Sequence, residues 1–361
     1  MARMTKRERV LRAVAFDEVD RVPVYDILQN DAIIEHYSGM RFAPGNGARI
    51  TALAVGRALD LTRMAGGPIE NPQTVRQAGG FTWQQARWTS WITERPFHDE
   101  ATAAAWIRED IARADAAVYR EEHRRAFHGI LDEQTARFAE GDPDGDPTVH
   151  IVESLPGLTH MYHSVGHELF AYLLADEPDL IEEWMEALTQ AELRRVECVA
   201  DPVRMPLALT ADDIAYKTGP LFSPRWLRSI FMPRLKRLND AWHERGIACI
   251  FHSDGCLWPV MDDLIATGID GLNPLEVLAG MTPRAVRERY PDLVLTGGID
   301  VSQLLVYGTP EEVRAACRDA IDATGGRGYL IGSSTELHWE VKLENAIAMI
   351  DTARETPEGA K

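Results

Sequence analysis

The sequence predicts an α/β fold: one (β/α)8 TIM barrel with an N-terminal helix and a small β-hairpin excursion, spanning 1–361 as a single domain. Three observations predict it. From residue 149 onward, short continuous apolar runs alternate with helical stretches, the pattern of a parallel sheet buried on both faces. Enough such units occur to close a barrel. No Gly-x-Gly-x-x-Gly follows the first strand, so an open dinucleotide-binding sheet lacks its fingerprint.

The elements can be justified in order. Thr5 is a good N-cap with Glu8 three residues on, and Val10, Leu11, Ala13 and Val14 give the helix an apolar face. Val22–Asp26 is a short strand ending in a carboxylate. Phe81, Trp83, Trp88, Trp91 and Ile92 alternate with polar residues, which predicts a hairpin over 81–97, with the tryptophans as packing residues. A helical stretch, 98–140, ends at the turn-rich Gly141-Asp142-Pro143-Asp144-Gly145-Asp146-Pro147. Strands are then expected at 149–153, 205–209, 247–252, 271–274, 293–298 and 328–332. The helices between and after them are expected at 165–198 (interrupted near Pro178), 224–245, 259–267, 283–289, 309–323 and 340–354.

Composition narrows the function. The 361 residues carry a formal net charge of -18, which repels phosphate backbones and anionic lipid and disfavours nucleic acid and membrane as partners. The four cysteines, Cys198, Cys249, Cys256 and Cys317, form no CxxC pair and do not read as a disulfide scaffold. The charged N-terminus lacks a signal-peptide core, and no apolar run reaches membrane-spanning length, so the expected compartment is the cytoplasm.

In a barrel of this kind the chemistry sits where strands end. Asp26 and Asn30 come after the first strand; Asp212, Asp213, Tyr216 and Lys217 come after 205–209. His252, Ser253, Asp254 and Cys256 come after 247–251, with Asn273 and Glu276 next. Asp300 comes after 293–298, and Ser333, Ser334, Glu336 and His338 after the last strand. Acids crowded into one mouth raise one another's pKa, and a divalent metal or cationic substrate would offset that cost. Asp212 and Asp300 have an equally ordinary reading as helix or turn caps. His252 stands out, because it is a polar residue closing an apolar strand. Cys256 is either a ligand or a small apolar filler, and the other cysteines read as core.

Several runs resemble the uroporphyrinogen decarboxylase-like superfamily. They are Lys6-Arg7-Glu8-Arg9-Val10-Leu11, Asp20-Arg21-Val22-Pro23-Val24, Gly219-Pro220-Leu221-Phe222-Ser223-Pro224, His252-Ser253-Asp254-Gly255, the stretch from Leu264 to Glu276, and Gly297-Gly298-Ile299-Asp300. True decarboxylases of that superfamily carry an arginine-rich stretch after the first strand that holds the acidic side chains of a tetrapyrrole. Here that place reads Asp26-Ile27-Leu28-Gln29-Asn30-Asp31 and offers no cation.

The chain is therefore more similar to the branch of corrinoid-dependent methyltransferases. Their methanogen members hold zinc with a His-x-Cys motif, a Glu, and a distant Cys near the last strand. The resemblance sets His252 on the histidine and Glu276 on the glutamate, with Asp254 at the first cysteine and Ser333 or Ser334 at the second. A His/Asp/Glu set is harder than a thiolate set and suits polarising an ether oxygen. The resemblance thus implies a zinc-dependent methyltransferase of the O-demethylase type. Such an enzyme moves a methyl group from a methoxylated small molecule to a corrinoid on a separate protein, here with His252, Glu276, Asp254 and Ser334 on the metal. Asp26, Asp212 and His338 are the expected catalytic groups, and Asn30, Asp213, Tyr216, Asn273, Asp300 and Glu336 the expected substrate contacts. Two other readings stand beside it: a metal-free decarboxylase or lyase acting on a carboxylated ring, and a non-catalytic tetrapyrrole-binding barrel.

Overall fold

The computed structural model describes residues 3–355. Seven parallel strands form one curled sheet: β1 (Leu61–Thr62), β2 (Val149–Ser154), β3 (Leu207–Ala211), β4 (Ala248–His252), β5 (Gly271–Asn273), β6 (Val294–Ile299) and β7 (Tyr329–Ser333). Its two edges meet through the segment 24–25. Val24 bridges in parallel to Ile331 of β7, and Tyr25 to Leu61 of β1. The arrangement is that of a TIM-like barrel. Strand and helix alternate because each parallel connection needs a crossover, and helices cover the sheet's outer face.

Side chains at alternate strand positions point inward. Tyr25, Leu61, Val149, Ile151, Leu207, Leu209, Ile250, Val294 and Leu330 form a dry plug there, and Val10 of the first helix joins it from below. That helix, Lys6–Val14, is capped by the Thr5 hydroxyl, which accepts from the Glu8 amide at 3.1 Å. Continuing the alternation, the next inward positions are Arg63, Glu153, Ala211, His252, Asn273 and Thr296. A polar layer thus lies on the apolar plug, toward the strands' C-terminal ends.

The aromatic excursion is larger than a hairpin. Thr74–Arg76, Thr82–Gln85 and Ser90–Glu94 make a three-stranded antiparallel sheet. The first of these strands carries one apolar residue, Val75, and so gives no alternating signal. The interruption at Pro178 is present, and Gly166 makes a second break, leaving helices Leu158–Val165, His167–Asp176 and Pro178–Val199. Helices Asp31–Ser38 and Gly47–Ala58 and strand β1 were not legible in the sequence. No described helix is long and apolar enough to cross a membrane. All four cysteines are free thiols.

Candidate active site

The structure divides the expected site residues into two groups. The first group has its polar atoms occupied by the backbone. Asp26 is fully buried and accepts from the Ser333 amide (2.8 Å), the Ser333 hydroxyl (3.0 Å), and the amides of Ile27 (2.9 Å) and Leu337 (3.1 Å). Burial pushes its pKa up to about 7, against these four donors, which favour the charged form. Asp212 accepts from the amides of Gly157, Leu158 and Thr159 at 3.0, 3.1 and 2.5 Å. It therefore caps the helix Leu158–Val165 across the barrel rim, and burial raises its pKa to about 6.

Asp300 accepts from the amides of Gln303 (2.9 Å) and Leu304 (2.8 Å) and starts the helix Leu304–Tyr307. Asn30 caps Asp31–Ser38 and donates to the carbonyls of His338 and Val341. The His338 ring accepts from the Glu340 amide at 3.2 Å, and the Ser334 hydroxyl accepts from the Val301 amide at 3.1 Å. Tyr216 is exposed on the small hairpin Ala215–Tyr216/Gly219–Pro220. Asp26, Asp212 and Asp300, expected to converge on one pocket, each tie a loop to the barrel rim, and for Asp212 and Asp300 this is the capping role the sequence also allows.

The second group meets at the mouth, around His252. Its Nε2 lies 3.8 Å from Asp213 Oδ1, and its Nδ1 lies 2.7 Å from Asn273 Oδ1. Asp213 Oδ1 also accepts from the Asp254 amide at 3.2 Å, and Glu276 Oε2 accepts from the Gly255 amide at 2.8 Å. The Asp254–Gly255 turn is sharp because Gly255 sits at φ 92°, and a Cβ there would lie 2.7 Å from the Ala215 backbone. Asp254 Oδ1 is buried with no hydrogen-bond partner. Burial, then the charges of Asp213, Glu276 and Glu336, push the Asp254 pKa up to about 7. Burial and the neighbouring Arg63 guanidinium hold His252 well below the usual histidine range, so it is neutral.

Arg63 and Glu153 are mouth residues that sequence reasoning missed. Arg63 comes directly after the two-residue strand β1 and reaches Tyr25 (3.2 Å), Glu153 (2.7 Å) and His252 Nδ1 (2.9 Å). The alternation Leu59, Leu61, Arg63 was its only signal, too short to separate from a helix. Nearby, Asn273 Nδ2 and Thr296 Oγ1 are also buried without partners. Unpaired buried polar atoms are costly, and a cluster of them in a strand-end mouth is the mark of a ligand site.

The donor chemistry of this group fits a divalent cation. It offers a neutral imidazole, a partnerless buried carboxylate oxygen, and neighbouring carboxylates whose charges raise the Asp254 pKa. The set is not closed, since His252, Asp254 and Glu276 do not bring their ligand atoms within 4.8 Å of one another. The Ser334 hydroxyl, the expected fourth ligand, accepts from the Val301 amide, which takes one of its two lone pairs. Among the described residues the group that does meet that distance is His243, Cys249 and Asp270, at the N-terminal ends of β4 and β5. There Asp270 Oδ2 lies 2.8 Å from His243 Nε2 and accepts from the Cys249 amide at 2.6 Å. Burial pushes the Cys249 thiol up, which keeps it a neutral core residue in a loop clamp.

Comparison with known proteins agrees with this architecture. A methyltransferase from Methanosarcina mazei superposes with a TM-score of 0.68 at 19% identity, over 97% of this chain and 98% of that one. A sugar phosphate isomerase/epimerase from Parabacteroides distasonis aligns at 12% identity over 70% of this chain and 87% of that one, with a TM-score of 0.32. A B12-independent methionine synthase from a Shewanella species aligns at 12% over 93% and 94%, with a TM-score of 0.36; neither of these two bears on the site. No curated protein sequence matches the chain. The sequence model of the uroporphyrinogen decarboxylase (URO-D) family matches residues 157–356, a span that contains the mouth residues from Asp213 to Glu336, and the chain belongs to that family.

Proposed function

We propose that this protein is a zinc-dependent methyltransferase that moves a methyl group from a methoxylated aromatic small molecule to a corrinoid carried by a separate protein. One observation carries the reading: a neutral His252 faces Asp213 beside a buried, partnerless Asp254 oxygen, in a mouth where Asp213, Glu276 and Glu336 all add negative charge. A site that holds its acids in this way is organised for a cation. The absence of the decarboxylase arginines after the first strand supports the same choice, because a polycarboxylate substrate would be repelled. The fold shared with the Methanosarcina methyltransferase is compatible with it.

His252 Nε2, Asp254 and Glu276 would hold the ion. Bound zinc would supply Lewis acidity toward the ether oxygen of the donor. The chain's own residues do the rest. Asn273 Oδ1 can accept from Nδ1–H of His252, which leaves Nε2 bare and fixes the ring plane. Asp213 and Glu336 flank the site as carboxylates that attract the cation, and Asp212 fixes the helix start that walls it.

The test is a calorimetric titration of chelator-stripped protein with zinc. Wild type is expected to bind one ion, and His252→Ala to bind it 10-fold or more weakly, the usual order for loss of a ligand or its support, about 10–100-fold. Equal binding by both proteins would remove His252 from the metal. No binding by wild type, even with a methoxyarene present, would favour the metal-free lyase reading.

A further inference from the structure

We infer that Arg63 is the built-in cation of the acidic mouth, and that a divalent metal enters it only by displacing the Arg63 guanidinium from His252. The inference rests on the metal-dependent reading above and adds a competition within that site.

The geometry at His252 Nδ1 is contradictory as a single proton arrangement. Arg63 Nη2 lies 2.9 Å from it and Asn273 Oδ1 lies 2.7 Å from it. A guanidinium can only donate, so with Arg63 in place Nδ1 must be an acceptor. The imidazole proton then sits on Nε2, facing Asp213. In that arrangement Nε2 has no lone pair for a metal. The Asn273 amide would turn its nitrogen toward the ring, which also gives a partner to Nδ2, otherwise buried without one.

The metal-competent arrangement is the reverse. Nδ1 carries the proton and donates to Asn273 Oδ1, Nε2 is bare, and Arg63 has withdrawn. A retreat exists. Glu153 accepts from Arg63 Nη1 at 2.7 Å and is half-exposed to the mouth, and Tyr25 holds the guanidinium's Nε at 3.2 Å. Arg63 also feels the charge of Glu336 across the mouth. The two states therefore differ by one imidazole proton shift, one amide turn and one side-chain swing. Arg63 keeps Glu153 in both states, so metal and guanidinium exclude each other at His252, whose single proton leaves only one ring nitrogen bare at a time.

Two measurements test this. First, chelator-stripped wild type and Arg63→Met are titrated with zinc, with thermal melts to show that both fold. Removing a charge a few ångströms from the ion is expected to tighten zinc about 10-fold or more. Equal or weaker binding by folded Arg63→Met overturns the competition while leaving the zinc reading intact. Zinc binding by neither protein overturns both. The second measurement needs no change at Arg63. Nitrogen-15 spectra of imidazole-labelled wild type, with His252 assigned by difference from His252→Gln, report the tautomer. The expected result is Nε2–H without metal and Nδ1–H with zinc. An Nδ1–H tautomer in metal-free protein overturns the inference, since Arg63 would then not be holding that nitrogen.

Discussion

The two ends of the barrel treat charge in opposite ways. At the bottom, beneath the apolar plug, buried charges are paired with their opposites. Asp60 takes Arg9 at 2.8 Å and both Nη groups of Arg21 at 2.7 and 2.8 Å, and Arg9 also holds Asp20 at 2.6 Å. Burial alone would raise the Asp60 pKa, but Arg21 and Arg9 outweigh it and hold the carboxyl below its usual range. Lys6 pairs with Asp142 at 3.0 Å. At the mouth, Asp213, Asp254, Glu276 and Glu336 crowd together near the Arg63 guanidinium, which is bonded to Glu153, and buried polar atoms lack partners. The bottom is a closed network that fixes the fold. The mouth is an open one, left incomplete for something that arrives later.

Breaking the closed network should have the largest effect. Asp60→Asn leaves Arg21 without its carboxylate and Arg9 with only Asp20, all in a buried setting. Removing one partner of a buried pair costs about 3–5 kcal/mol. Urea denaturation should show a loss of that order, with zinc affinity of the remaining folded protein unchanged. A loss below about 1 kcal/mol would mean that the bottom network is not what pins the first helix to the barrel.

The closed end also explains how the sequence could be read. The opening runs Lys6-Arg7-Glu8-Arg9 and Asp20-Arg21-Val22, which carry the family resemblance, supply Lys6, Arg9, Asp20 and Arg21 of that network. The strands from 149 onward were legible because burial on both faces makes them continuous apolar runs. The strand expected at 22–26 is seen as the bridges of Val24 and Tyr25, but Leu61–Thr62 is too short for periodicity to report, and so Arg63 went unseen. At the mouth, His252, Asp254 and Glu276 were legible as polar residues at or just past the ends of apolar strands. What sequence could not separate was a carboxylate facing the mouth from one capping a neighbour's helix. Asp212 and Asp213 are adjacent in sequence, yet the first binds three backbone amides and the second faces His252.

A smaller effect, of opposite sign, is expected at the open end. The Asp254 pKa is raised in the fold to about 7 from an ordinary 3.8. The folded chain therefore holds that proton more tightly than the unfolded chain. The associated stability is complete below about pH 4 and is lost as pH rises through about 7. Asp254→Asn stays neutral throughout, so in zinc-free buffer it should be more stable than wild type at pH 8, by roughly 1–2 kcal/mol after solvent screening. The gain should vanish near pH 4. Melting curves from pH 4 to 8 check this; a gain that is flat with pH would mean that the fold does not raise the Asp254 pKa.

The smallest effect falls on the boundary between the two kinds of network. The family resemblance places a metal ligand near Ser333 or Ser334, but both hydroxyls have hydrogen-bond partners in the protein. Ser333 donates to Asp26 at 3.0 Å, and Ser334 accepts from the Val301 amide at 3.1 Å while donating its own amide to the Ile299 carbonyl at 2.8 Å. Ser334→Ala would leave the Val301 amide unpaired in a buried position, at a cost of about 1–2 kcal/mol. It should not move zinc affinity by more than about twofold, since the hydroxyl oxygen is already bonded to the Val301 amide. Calorimetry and denaturation on the same variant separate the two roles. A tenfold loss of zinc affinity with stability unchanged would put the Ser334 hydroxyl in the open mouth, and the line between the closed and open networks would have to be redrawn at the end of β7.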